Sequence, residues 1–248
     1  MNALLIDALG AGVAGFVQGL SGFAFGLVAM SFWAWSVAPQ LAGPMNVFGS
    51  VLGQSLSLHV LRRGFDWRRA APFLLGGLLG VPLGVALLSR IDPVLFKGAV
   101  GLLLVLWCPA MLFGGLLPRV TAGGAWADGA AGLVGGIMGG LAGLTGPAPT
   151  LWCMLRGWEK DVQRGVFQSF NLAMNALTLA AYVVTGLVTG ETLRFFAVVA
   201  AAMLLPTLLG TWLYTRLDNA GFRRLVLVIL FISGLVLLGS AVARPFGH

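Results

Sequence analysis

The chain has 248 residues, of which 58% are hydrophobic and only 9% charged, with a mean hydropathy of +0.95 and a net charge of +7. A water-soluble domain carries about 25% charged residues, so this composition leaves too little polar surface to cover a soluble globule. The positive charge does not indicate nucleic-acid binding, because Arg and Lys sit in short clusters between apolar blocks, where such clusters set membrane orientation.

Eight apolar blocks follow one another, over residues 3–37, 43–61, 70–89, 94–117, 125–155, 165–188, 195–214 and 225–243. About 20 residues suffice to span a bilayer as a helix, and no gap between blocks is long enough for a soluble domain. The opening residues lack a basic stretch and carry Asp7, so no cleavable signal peptide is expected. Block one is long and holds Gly10, Gly12, Gly15, Gly19, Gly22 and Gly26. Block two carries Asn46, Ser50 and Gln54 at four-residue steps, one stripe of a helix, and ends near His59, a histidine expected to be structural. Block three runs into a turn at Arg90 and Asp92, and block four contains Cys108. Block five repeats the peculiarity of block one, with Gly129, Gly132, Gly135, Gly136, Gly139, Gly140, Gly143 and Gly146, then Pro147, Pro149 and Cys153. Both long blocks are too rich in Gly and Pro for one unbroken helix. Block six carries Gln168, Asn171, Asn175 and Thr178 at three- and four-residue steps, again one face. The two cysteines lie in apolar stretches and read as small buried hydrophobes, with no disulfide framework and no metal pair.

The chain repeats itself. A shift of 121 places Gly15, Gly19 and Gly22 on Gly136, Gly140 and Gly143; a shift of 125 places Asn46 and Ser50 on Asn171 and Asn175. A shift of 126 aligns Gly84, Arg90 and Asp92 with Gly210, Arg216 and Asp218. The units expected are a first repeat over 1–117, a linker over 118–124 and a second repeat over 125–248.

Orientation follows from the basic residues. If blocks one and five each cross once, alternate sides hold seven and eight Arg or Lys and no topology is preferred. If each folds into a hairpin that returns to its own side, one side holds eleven, including Arg62, Arg63, Arg68, Arg69, Arg119, Arg156 and Arg164, and the other holds only Arg90, Lys97, Arg194 and Arg244. The hairpin reading makes three full spans per repeat, so the second repeat is inverted and both termini face the periplasm. The fold expected is therefore an all-α polytopic membrane protein of two inverted repeats, each a broken-helix hairpin plus three spans. Inverted repeats with discontinuous helices are characteristic of secondary transporters.

Two hairpins entering from opposite sides meet near the midplane, where broken backbone must be buried in protein or line a wet cavity. Helix N-termini there would present N–H groups to an anion. The candidate substrate contacts are Gln18, Ser21 and Gly22 at the first turn, Thr145 and Gly146 at the second, and the stripes Asn46, Ser50, Gln168, Asn171 and Asn175. Two bland readings stand beside these: glycines that only let helices pack closely, and amides that only bond between helices. All eight carboxylates lie at block ends or in loops, so neither a cation site nor a carboxylate relay is evident.

The segments Gly15-Phe-Val-Gln-Gly19-Leu-Ser-Gly22-Phe-Ala-Phe-Gly26 and Gly136-Ile-Met-Gly-Gly140-Leu-Ala-Gly143-Leu-Thr-Gly146-Pro147 resemble the Gly-rich openings of the two repeats in the sulfite exporter TauE/SafE family. The resemblance extends over the whole chain. It implies an inner-membrane carrier of sulfite, an organosulfonate or a related small anion, with no cofactor and with lipid and anion as partners. The first repeat departs from the pattern at Ala24-Phe25 and lacks a proline after Gly26. A passive small-anion channel is the alternative, and the oligomeric state, a homodimer among the options, stays open. No HExxH pair, Ser/His or Ser/Lys dyad, or mid-span carboxylate pair supports an enzyme, and no ATP-binding loop is present.

Overall fold

The computed structural model describes residues 3–22, 24–56, 66–114, 118–214 and 220–242. His59, Arg62, Arg63, Arg216, Asp218 and Arg244 lie outside these residues. Among the described residues there are ten helices and no strand: α1 (Ala3–Ser21), α2 (Phe25–Ser36), α3 (Pro39–Leu56), α4 (Trp67–Leu88), α5 (Pro93–Leu112), α6 (Gly124–Ala142), α7 (Pro147–Leu155), α8 (Lys160–Val184), α9 (Gly190–Tyr214) and α10 (Ala220–Val242). The helix starts follow local chemistry. Asp66 accepts from the Arg68 and Arg69 amides ahead of α4, and Asp92 accepts from Val94 and Leu95 ahead of α5, whose first residue is Pro93. Such N-caps satisfy donors that have no partner inside the helix.

The two Gly-rich blocks are each broken, as expected. Block one splits into α1 and α2 at Gly22, whose φ of 82° is a left-handed value that favours glycine. Block five splits into α6 and α7 at Gly143, with φ 68°, where the Gly143 and Leu144 amides turn back onto the carbonyls of Gly139 and Met138. Each pair of arms runs antiparallel. Trp33 of α2 reaches back to the Asp7 backbone, and Trp152 of α7 reaches back to Asp128.

Helix directions bear out the inversion. α1 runs parallel to α9, with Gly12 facing Ala202, Gly15 facing Met203 and Gly19 facing Thr207 and Thr211. α6 runs parallel to α4 in the same manner, with Gly132 on Phe73, Gly136 on Gly77 and Gly140 on Val81. α5 and α10 are antiparallel, Gly98 meeting Ala241 and Gly101 meeting Leu238. Exchanging the repeats therefore maps α1·α9 onto α6·α4 and returns α5·α10 to itself. The first arm of each hairpin packs on the other repeat, not on its own.

α4, α5 and Gly190–Leu213 of α9 are long and apolar enough to cross a membrane, and Leu5–Ser21, Phe25–Ser36 and Val226–Val242 are shorter apolar helices. Leucines on the outer faces of α4 and α9, among them Leu75, Leu79, Leu205 and Leu209, are exposed, as lipid-facing residues should be. α3 and α8 instead bury polar side chains at the centre, and the aromatic residues Phe73 and Phe170 meet edge to face between α4 and α8.

Candidate functional site

The hairpins meet tip to tip. A Cβ on Gly26, in the first turn of α2, would lie 3.1 Å from the Gly143 carbonyl oxygen and 3.0 Å from Asn46 Nδ2. A larger residue here would push the first turn of α2 away from the second tip by a few tenths of an ångström or more. The stripes of α3 and α8 run past this junction, and their side chains are buried.

Around the second tip the structure gathers six of the ten expected residues. Asn46 donates from Nδ2 to the Ala142 carbonyl at 2.7 Å, capping the C-terminal end of α6. Asn175 Nδ2 donates to Thr145 Oγ1 at 3.0 Å. Ser50, Gln54, Thr145, Gly146 and Asn175, with Gly26, Leu27, Gly143, Leu144 and Pro147, line a cavity of about 10 Å³. A cavity of that size has room for about one water. Asn171 stands beside Gly146, where a Cβ would come within 3.2 Å of its Nδ2.

The remaining four expected residues belong to the first tip. Gln18 Oε1 accepts from the Phe25 amide at 3.0 Å, and Ser21 Oγ accepts from the Ala24 amide while donating to the Val17 carbonyl. These bonds hold the turn and leave Gln18 Nε2 without a protein partner. Gln168 of α8 lies against Gly22, a Cβ on which would meet its Nε2 at 2.6 Å.

The helix N-termini differ from expectation. The first donors of α2 are taken by Gln18 and Ser21, and α7 opens Pro147-Ala148-Pro149, two of whose three residues have no N–H. What the site offers is side-chain chemistry. Gln18 Nε2, Asn46 Oδ1, Gln54 Oε1, Thr150 Oγ1, Gln168 Oε1, Asn175 Oδ1, Thr178 Oγ1 and both amide atoms of Asn171 are buried with no protein partner. Leaving a buried polar group unpaired costs roughly 1–3 kcal/mol. So dense a concentration of such groups in one region marks a place built to hold something polar. These groups are neutral, and Arg164 stands one turn before Gln168 on α8.

Some contributors were not anticipated. Gln54 and Thr178 were read as the last members of the two stripes but not as substrate contacts, and both are buried with an unpaired side-chain oxygen. Asp7 and Asp128 were expected at block ends or in loops. They stand near the starts of those blocks, as the fifth residues of α1 and α6, but are buried, 1% and 5% exposed, and tie the hairpin bases. Ser36 donates to Asp7, and Trp152 donates to Asp128, which also lies 3.3 Å from Arg156 Nε. The shift of 121 that aligns the glycines also places Asp7 on Asp128, so this pairing was available in the sequence. Beyond Leu144 and Pro147, an apolar cleft of about 440 Å³ opens between α5, α6 and α7, with Phe96, Trp107, Met138 and Leu151 among its walls.

The ten helices of the described residues, with apolar outer faces, broken hairpins joined at their tips and a polar centre, make a polytopic membrane protein. The sulfite exporter TauE/SafE family model matches residues 8–237, and the chain belongs to that family. It is therefore a membrane transport protein and not an enzyme, and the family implies sulfite- or sulfonate-type anions as cargo. No curated protein and no solved structure matches the chain.

Proposed function

We propose that this protein is a secondary carrier, working as an exporter, that moves sulfite, an organosulfonate or a related small anion across the bacterial inner membrane by alternating access. The observation that carries the reading is the cluster of buried, unpaired amides and hydroxyls where the two hairpin tips meet. Among these groups Gln18 Nε2, Asn171 Nδ2 and the Thr150 and Thr178 hydroxyls are the donors from which an oxyanion can accept, and no carboxylate stands among them to repel it. Asn46, Ser50, Thr145, Gly146, Asn171 and Asn175 form its central contacts in this reading, with Gln18, Ser21, Gly22 and Gln168 behind the first tip.

A cavity of about 10 Å³ holds no sulfite, so the conformation described is a closed one and the tips must part to admit cargo. The apolar cleft beside α7 supplies room for that arm to move. Repeat one extends over 1–117 and repeat two over 125–248, the termini face the periplasm, and the basic clusters around Arg69, Arg119 and Arg156 face the cytoplasm. The test is anion flux in proteoliposomes loaded with sulfite, thiosulfate, a sulfonate, sulfate or acetate. Saturable movement of sulfite or a sulfonate, with acetate inert, is the expected result. Unitary conductance would replace the carrier by a channel, and silence across all sulfur anions would remove the substrate class.

A further inference from the structure

Four observations converge on the outer side of the first tip. Gly22 holds a left-handed backbone and carries no side chain, and a Cβ there would lie 2.6 Å from Gln168 Nε2 and 3.4 Å from Arg164 Nη2. Arg164 and Gln168 are four residues apart in α8, so one helical face brings a guanidinium and an amide to the same turn. Gln168 is nine-tenths buried or more and turns its donor, Nε2, towards the space over Gly22. Gln18, on the facing side of the turn, is equally buried and its Nε2 has no protein partner.

The second tip has no counterpart to this arrangement. The repeat shift of 125 takes Arg164 to Pro39 and Gln168 to Gly43, neither of which carries a donor side chain. Gly143, the equivalent of Gly22, faces Val47 and Asn46 instead. At these positions the pseudo-symmetry of the fold is broken in its charge: α8 brings a cation beside the first tip, and the equivalent residues of α3 bring none beside the second.

We propose that Arg164, with Gln168 and Gln18, forms a second anion subsite that collects small oxyanions on one face of the membrane only, the face of the basic clusters. This deepens the carrier reading above and rests on it. Arg164 acts as a specificity-determining residue that raises affinity from its own side, so the carrier loads at lower concentration from the cytoplasm than from the periplasm. Because the central contacts are neutral, Arg164 adds a positive charge that they do not supply.

The test is sulfite flux in proteoliposomes of known orientation, measured from each face for the wild type, Arg164→Gln, Arg164→Lys and, as a control at the centre, Asn171→Ala. Removing one charge-assisted hydrogen bond should raise KM from the Arg164 face by about tenfold to a hundredfold, leave the maximal rate within about twofold and leave KM from the other face unchanged. Arg164→Lys should recover most of the affinity. An unchanged KM in Arg164→Gln, an equal change from both faces, or a loss of maximal rate that Lys fails to restore would overturn the inference. Wild-type protein that moves no sulfur anion would overturn the carrier reading itself, and this inference with it. Normal wild-type flux with an indifferent Arg164→Gln would overturn only the subsite.

Discussion

Asn171→Leu should make the protein more stable and nearly inactive. Asn171 is 1% exposed, and neither its amide nitrogen nor its amide oxygen has a protein partner. A buried unpaired amide costs about 1–3 kcal/mol, and leucine is close to asparagine in length while adding apolar contact. The substitution should therefore stabilise by up to about 3 kcal/mol, with a rise in Tm of about 2–4 °C per kcal/mol for a chain of this size. Asn46→Leu is the matched contrast. It removes the 2.7 Å bond to the Ala142 carbonyl and leaves that helix-end oxygen buried without a donor, a loss of about 2 kcal/mol. Both variants should lose most sulfite flux, yet their thermal unfolding in detergent should shift in opposite directions. A less stable Asn171→Leu with normal flux would refute the reasoning, since Asn171 would then be a structural residue whose partners had been misjudged. A stability gain coupled to lost activity is the usual signature of a functional group held at a structural cost.

Three further outcomes follow from the packing. Gly136→Leu should prevent accumulation of folded protein, because a Cβ there would meet Gly77 backbone atoms at 2.8 and 3.0 Å, whereas Gly12→Ala, with its nearest neighbour at 3.5 Å, should be close to neutral; membrane yield and size-exclusion profile separate them. Asp128→Asn should destabilise by about 3–5 kcal/mol, as breaking a mostly buried ion pair does, while Asp128→Asn combined with Arg156→Gln should cost less than the sum of the two, read from a double-mutant cycle of thermal stability. Cys108 and Cys153 are fully buried, so a membrane-permeant maleimide should label neither in the native protein and both after unfolding, as mass spectrometry would report.

Much of this architecture is legible in the sequence, because membrane insertion makes few demands and each leaves a trace. Hydropathy marks the blocks, and the excess of Arg and Lys on one side forces blocks one and five to double back. The glycines were ambiguous, since close packing and cavity lining call for the same residue. The structure divides them. Gly15, Gly19, Gly132, Gly136 and Gly140 admit a neighbouring helix backbone, whereas Gly22, Gly26, Gly143 and Gly146 shape the tips. The polar stripes were visible as periodicity, but not which tip each amide would serve. That depends on how far each hairpin reaches, which the sequence does not encode locally. Arg164 was grouped with the loop cations because sequence distance from an apolar block says nothing about what a long side chain touches.

The crossed packing of the hairpins sets the order in which the protein can be built. α6 finds α4 already in place, 36 residues behind it, as soon as it leaves the ribosome. α1 has no such companion: its partner α9 begins 169 residues after α1 ends. At synthesis rates of about 5–20 residues per second, the first hairpin waits roughly 10–30 s with its glycine face uncovered. The earliest part of the chain to be made is thus among the last to be docked, and a nascent chain halted before α9 would hold a finished second hairpin beside a stranded first one.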